Sequence, residues 1–420
     1  MDKQKSFIYN IMHKYNMNIQ EIYLQLRDAS NAEILNTLFH ISELFHTLSS
    51  SEKNDYCINF LLLKICLDTK LARYRIQSNK CCYTQFKIIH TDGNCDLREI
   101  FYDINGKLVS DVAKKVIENI QKISSWFVRT HGKIPHILTD IDDTLFPHRS
   151  AFHTLFGQDT KGANKKPYPG VIKFMKLFKK QHTKTIKVNK KEIIIPNYIT
   201  VLSATPNIGK ASRFFHPTLR EILGSNYSFL QGAETYDKIR QSVQLSTLSV
   251  NNNVVGNKKA QRFKEYHTIF PEYQYIFIGD NGQGDVIAGK QMNKFSSDSM
   301  VFIHNIQLRD KLKSSLREVQ QLSTNRLHFF ENYHALGLLL YNLELLEKYN
   351  VETMNKTIIK SKGSFSKPTF DSISSIFQTP SRRKNRGNKK TQNRKKTKNK
   401  KTRKRKYSLF SHKSQHLVLS

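Results

Sequence analysis

Four short apolar runs, each closed abruptly by a polar or small residue, constrain this chain more than any other feature: IPHILTD ends at Asp140, YITVLS at Ser203, YQYIFIGD at Asp280 and MVFIHN at Asn305. Runs with apolar residues at consecutive positions need cover on both faces. Between them lie patterns of helical period, notably GVIKFMKLFKK over 170–180 and KAQRFKEYHTIF over 259–270. Buried strands alternating with amphipathic helices predict an α/β fold with a parallel sheet between helices. Such sheets bind ligands at the carboxyl ends of their strands, so the residues that close the runs are expected to meet at one edge.

The flanks read differently. Residues 1–130 form a mainly helical region: Ile34, Leu38, Ile41, Phe45 and Leu48 recur at helical spacing, INFLLLKICL adds an apolar run, and a helix is predicted from about 109 to 129. Between Cys81 and Tyr102, QFKIIHTDGNCDLREIFYD predicts two strands around Asp92-Gly93. Residues 131–350 form the α/β domain. Two segments interrupt it, a predicted hairpin over 185–196 and residues 208–256, which lack a clear period; both are candidate caps or substrate-facing insertions. The leucines of RLHFFENYHALGLLLYNLELLEKY predict one amphipathic helix over 326–349. Residues 351–420, Ser-rich and then basic, read as a disordered linker and tail.

Charge is what this tail contributes. Of 420 residues, 68 are Lys or Arg against 34 Asp or Glu, and residues 382–406 alone hold 16 basic residues and no acidic one. The excess points to a polyanionic partner: an anionic membrane surface, nucleic acid or a phosphorylated substrate. No aromatics are interleaved in the basic run, so base stacking is not indicated. Five cysteines, confined to the first quarter without C-x-x-C spacing, argue against a disulfide framework and a structural zinc site. With neither a signal peptide nor a transmembrane segment expected, the reading is a soluble protein, cytoplasmic or nuclear.

The chemistry concentrates in two acidic motifs. DIDDT, Asp140 to Thr144, follows the first strand directly, and three carboxylates in four residues repel unless a cation or protonation relieves them. Alone, it could equally be a solvated acidic turn. GDNGQGD brings Asp280 and Asp285 to another strand end, and oxygen ligands of this kind suit Mg²⁺, which usually takes one or two carboxylates plus a substrate phosphate. Ser203 closes a third strand as a candidate donor to phosphate, and Lys258 or Lys259 opens the helix before the IFIGD strand. No P-loop, dinucleotide fingerprint or nucleophile elbow is present, and the sixteen histidines show no metal-site pattern, so they read as ordinary surface or core residues.

In this order the motifs resemble the four motifs of the haloacid dehalogenase superfamily, and ILTDIDDTLF, VLSATPN, NKKAQRFKEYHTIFPEYQYIFIGDNGQGD and VFIHN look like the catalytic domain of the actin-patch-type phosphatidate phosphatases. The resemblance spans roughly 134–306. It implies a Rossmann-like core and a Mg²⁺-dependent phosphatase that converts phosphatidate to diacylglycerol. Asp140 would be the nucleophile and Asp142 the general acid and base. Asp280, the Asp140 carboxylate and the Asp142 carbonyl would hold Mg²⁺, supported by Asp285. Ser203 would bind phosphoryl oxygens, and Lys259, with Lys258 as the fallback, would supply positive charge. Asn281 and the SATPN loop depart from the DSG and SNSP forms of many relatives, which leaves the substrate open. Two alternatives stand: a phosphatase of this type acting on a soluble or nucleic-acid phosphate ester, and a catalytically silent relative tethered by its tail.

Overall fold

The computed structural model of the protein describes residues 19–71, 97–103, 105–147, 167–188, 191–203, 219–224, 227–231, 243–244, 249–250, 252–282, 284–306 and 326–361. The basic run 382–406, the SATPN loop beyond Ser203 and most of the predicted hairpin around Asp92 lie outside these residues.

Helices α1 (Ile19–Leu26), α2 (Asn31–Leu44) and α3 (Ser50–Cys66) open the described chain. The latter two start with the same device: Ser30 and Ser49 accept from the amides of Glu33 and Glu52, whose carboxylates reach back to the serine amides. A short α4 (Arg98–Phe101) replaces the second predicted limb of the Asp92 hairpin. Its apolar pair Ile100 and Phe101 is buried, and Tyr102 makes a strand-like bridge to Leu108. Ser110 caps α5 (Asp111–His131), which stops at Gly132, where φ is 74°.

Next come β1 (Ile134–Thr139), α6 (Val171–His182), β2 (Lys184–Val188), β3 (Lys191–Ile195), β4 (Ile199–Ser203), β5 (Tyr227–Gln231) and the two-residue strands β6 (Val243–Gln244) and β7 (Ser249–Val250). The chain continues with α7 (Asn252–Ile269), β8 (Tyr273–Asp280), α8 (Asp285–Phe295), β9 (Met300–His304), β10 (Leu327–Phe330), α9 (Tyr333–Asn342) and α10 (Lys348–Ser361). Six strands form one parallel sheet in the order β10-β9-β8-β1-β4-β5. From β1 the chain steps outward through β4 to β5, then crosses back to lay β8, β9 and β10 on the other side. Right-handed crossovers running in opposite directions put α6 on one face and α7 and α8 on the other. The direction reverses between β1 and β8, and the crevice at their carboxyl ends is where sheets of this topology bind ligands.

Both faces are packed, which is why the strands read as predominantly apolar runs rather than as a strict alternation. Ile134, Leu138, Leu202, Tyr275, Phe277, Val301 and Ile303 share one core with α1 to α5, α7 and α8. Ile137, Val201, Ile276 and Ile278, the alternate positions, are buried on the opposite side of the pleat. The helices before residue 131 thus share a core with the sheet, and the described residues fall within one compact unit ending at Phe365.

Two other expectations are corrected. Residues 326–349 are not one helix: Leu327 and Phe330 are buried in the sixth strand, which pairs with β9, and Asn332 caps a new helix by accepting from the Ala335 amide. The hairpin over 185–196 does form, as β2 and β3, but at the amino edge of the sheet. It joins the end of α6 to the start of β4, and Lys184 donates to the carbonyl of His131, just before β1. It cannot face a ligand at the carboxyl edge.

Candidate acidic site at the carboxyl edge

Asp140 is fixed where β1 ends: its amide donates to Ile278 of β8 (2.9 Å), and its carbonyl accepts from Thr139 Oγ1 (2.8 Å). The chain then turns sharply. The Leu145 amide reaches the Ile141 carbonyl and the Asp143 amide reaches Phe146, with Asp143 in the left-handed region at φ 56°. Asp140, Asp142, Asp143 and Thr144 are all buried, so DIDDT is not a solvated turn.

The second motif closes on the first. Asp285 opens α8 and turns back under β8: its Oδ2 accepts from the Asp280 amide at 3.1 Å. That approach requires glycine at 279, where a Cβ would lie 2.4 Å from Asp285 Oδ2. Gly284, at φ 83°, lets the loop pass against the first turn of α7. Asp280 Oδ1 accepts from the Gly282 amide. Asp140, Asp280 and Asp285 each offer an oxygen within 4.8 Å of the others.

Lys259 stands among these carboxylates. It is completely buried, with its Nζ 3.0 Å from Asp140 Oδ1 and 2.5 Å from Asp285 Oδ1. Burial works against its charge, but Asp140, Asp285 and Asp280 outweigh burial and hold its pKa above the ordinary lysine value. Lys258 is half-buried and faces Gln261 at 3.4 Å; burial, with Arg262 nearby, lowers it to about 8. Burial, reinforced by Asp285 and Asp142 and opposed by Lys259, pushes Asp140 up to about 8. Asp280 is raised well above the carboxylate range by burial, then by Asp285 and Asp140, and Asp285 is raised chiefly by burial.

Three carboxylates and one ammonium sum to a double negative charge when all are ionised, which a divalent cation balances. Oδ2 of Asp140 and Oδ2 of Asp280 are buried with no hydrogen-bond partner among the described residues. Hard oxygens of this kind, already gathered and short of partners, fit Mg²⁺. Ser203 closes β4, the strand beside β1, at the same edge and is buried. Asp142 lies in the turn and adds to the field on Asp140, outside the group of three.

The residues that hold these loops carry little signal of that role in the sequence. His304 Nδ1 lies 2.8 Å from the carbonyl of Asp143, and Tyr333 donates to that of Thr144 at 3.0 Å. Asn281 bridges β8 to β9, its Nδ2 donating to Asn305 Oδ1 and its Oδ1 accepting from the Ile306 amide. Only the position of VFIHN at a strand end pointed toward them. No family model matches the chain, and neither a curated protein nor a solved structure matches it.

Proposed function

We propose that this protein is a Mg²⁺-dependent phosphomonoesterase of the haloacid dehalogenase type, working through an aspartyl-phosphate, with phosphatidate as its substrate. The observation that carries this reading is the buried Lys259 between Asp140 and Asp285, beside Asp280, at the sheet's reversal point. The order and spacing of the four motifs support it further.

Asp140, Asp280 and Asp285 would hold Mg²⁺, which supplies charge neutralisation and polarises the phosphoryl group. Lys259 pairs with the Asp140 carboxylate at Oδ1, and the carboxylate oxygen of Asp140 not engaged by the metal attacks phosphorus. The bond to the ester oxygen breaks, and that oxygen leaves with a proton from Asp142. Asp142 then takes a proton from water, whose oxygen attacks the aspartyl-phosphate, releasing inorganic phosphate and restoring Asp140. Lys259 and Ser203 stabilise the charge on the phosphoryl oxygens. The basic run 382–406 draws the enzyme to an anionic lipid surface, each Lys or Arg adding about 1 kcal/mol when it lies near the headgroups. The described residues include no helix long and apolar enough to cross a membrane.

A second reading keeps the chemistry and changes the ester to a soluble or nucleic-acid phosphate. Asn281, the SATPN loop and the basic run favour it. One experiment separates the two: phosphate release by the purified chain from phosphatidate vesicles, soluble phosphomonoesters and phosphorylated oligonucleotides, with Asp140→Asn as control. Vesicle-dependent release that Asp140→Asn lowers by orders of magnitude supports the first reading. Release from oligonucleotides or soluble esters alone favours the second, and none from any ester defeats both.

A further inference from the structure

We infer that His304 is a positioning residue that clamps the two acidic loops to each other; the kinetic consequence rests on the phosphatase reading above. His304 ends β9, paired in register with Asp280. Its backbone carbonyl accepts from the Asn281 amide at 3.2 Å, which ties down the loop that follows Asp280. Its side chain does the same for the other loop, with Nδ1 2.8 Å from the carbonyl of Asp143. A carbonyl only accepts, so Nδ1 carries the proton.

The carbonyl it holds belongs to the residue that needs holding. Asp143 sits at φ 56°, a conformation that a non-glycine residue keeps only when its surroundings impose it. The neighbouring Thr144 carbonyl is held by Tyr333. The imidazole itself has little room to move: it stacks on Phe330 at 5.1 Å and meets the edge of Tyr168 at 4.7 Å. One buried residue therefore fixes the turn after Asp142 relative to the loop after Asp280. A loss of register between these loops separates the groups that must act together on one phosphoryl group.

The test uses the full chain and two variants. His304→Phe keeps a ring in the slot and removes the donor; His304→Asn places an amide nitrogen about where Nδ1 lies. With cooperative melting retained, His304→Phe should lower kcat about 10- to 100-fold with little change in KM, the usual cost of losing such an outer partner. His304→Asn should recover most of that loss. Native kcat in the Phe variant, or equal impairment in both, overturns the clamp. Nitrogen NMR of the native protein reads the hydrogen bond without activity, so the clamp is judged even if the Phe variant misfolds or no ester is hydrolysed. A proton on Nδ1 supports the clamp, and one on Nε2 alone overturns it.

Discussion

Replacing Asp280 by Asn should stabilise the metal-free protein and weaken the metal-loaded one. The reason is crowding. Asp280, Asp140 and Asp285 offer oxygens within 4.8 Å of one another, and at an effective dielectric constant of about 20 two such charges repel by about 3.5 kcal/mol. Both ion pairs of Lys259 go to Asp140 and Asp285. Proton uptake already relieves part of the strain, because burial and its neighbours raise Asp280 well above the usual carboxylate range. The Asp280→Asn substitution removes the charge and keeps an oxygen for the Gly282 amide, so we expect a gain of about 1–3 kcal/mol in chelator, below the full repulsion. In Mg²⁺ the order reverses, since native protein at about 1,000 times its Kd gains about 4.1 kcal/mol and the variant far less. Urea unfolding near neutral pH, with chelator and with Mg²⁺, reads both signs. An Asp280→Asn protein that loses as much stability in chelator as in Mg²⁺ would refute the crowding argument.

Two further outcomes are expected away from the acidic site. Lys64→Met removes a buried ammonium that bonds Glu272 at 2.7 Å and the Ile269 carbonyl at 2.8 Å, leaving Glu272 with the Ser124 hydroxyl; urea unfolding should show a loss of about 3–5 kcal/mol, and a loss below about 1 kcal/mol would contradict the pairing. His136 is buried, and burial depresses its pKa from 6.5 to about 3, so the unfolded chain binds this proton first as pH falls. Its stabilising contribution is complete above pH 6.5 and declines toward pH 3, by up to about 1.4 kcal/mol per pH unit. In a His136→Asn protein that folds, this part of the acid sensitivity should be gone; an unchanged pH slope would assign it elsewhere.

The sheet is legible in the sequence wherever both of its faces are covered. IPHIL, YITVL and YQYIFIG are predominantly apolar, each with a single polar residue (His136, Thr200 and Gln274), because helices pack on either side of β1, β4 and β8. The edge strands are not legible in this way. In β5, YSFLQ mixes polar and apolar residues, and in β10 only Leu327 and Phe330 of LHFF are buried, so the helical leucines that follow hide a strand of four residues. The place of the β2–β3 hairpin follows from chain direction, which no local pattern records. Lys258 and Lys259 are neighbours on one helix, about 100° apart around its axis, and composition cannot tell which side meets Asp140. His304 reads as an ordinary histidine because its partner, the Asp143 carbonyl, lies 161 residues away.

The helices before residue 131 bear on the site through α7, the helix that carries Lys259. Arg98 bonds Glu265 at 3.1 Å, Tyr102 bonds Thr268 at 2.5 Å, and Asp68 accepts from Tyr266 at 2.7 Å and from Tyr198 at 2.9 Å. All three anchors on α7 lie C-terminal to Lys259. At its other end, Gly256 packs so closely on Gly284 that a Cβ would lie 2.5 Å from the Gly284 carbonyl. The helix is thus held on both sides of the lysine, by the N-terminal region at one end and by the acidic loop at the other. Lys259 makes contacts of 2.5 and 3.0 Å, and sliding α7 by about 1 Å would lose at least one of them. Buried polar pairs such as Arg98 with Glu265 add little net stability against apolar replacements of the same shape, but leaving one partner alone is costly, so they favour a single placement of the helix. That placement, more than added stability, is what the N-terminal helices contribute to the acidic site.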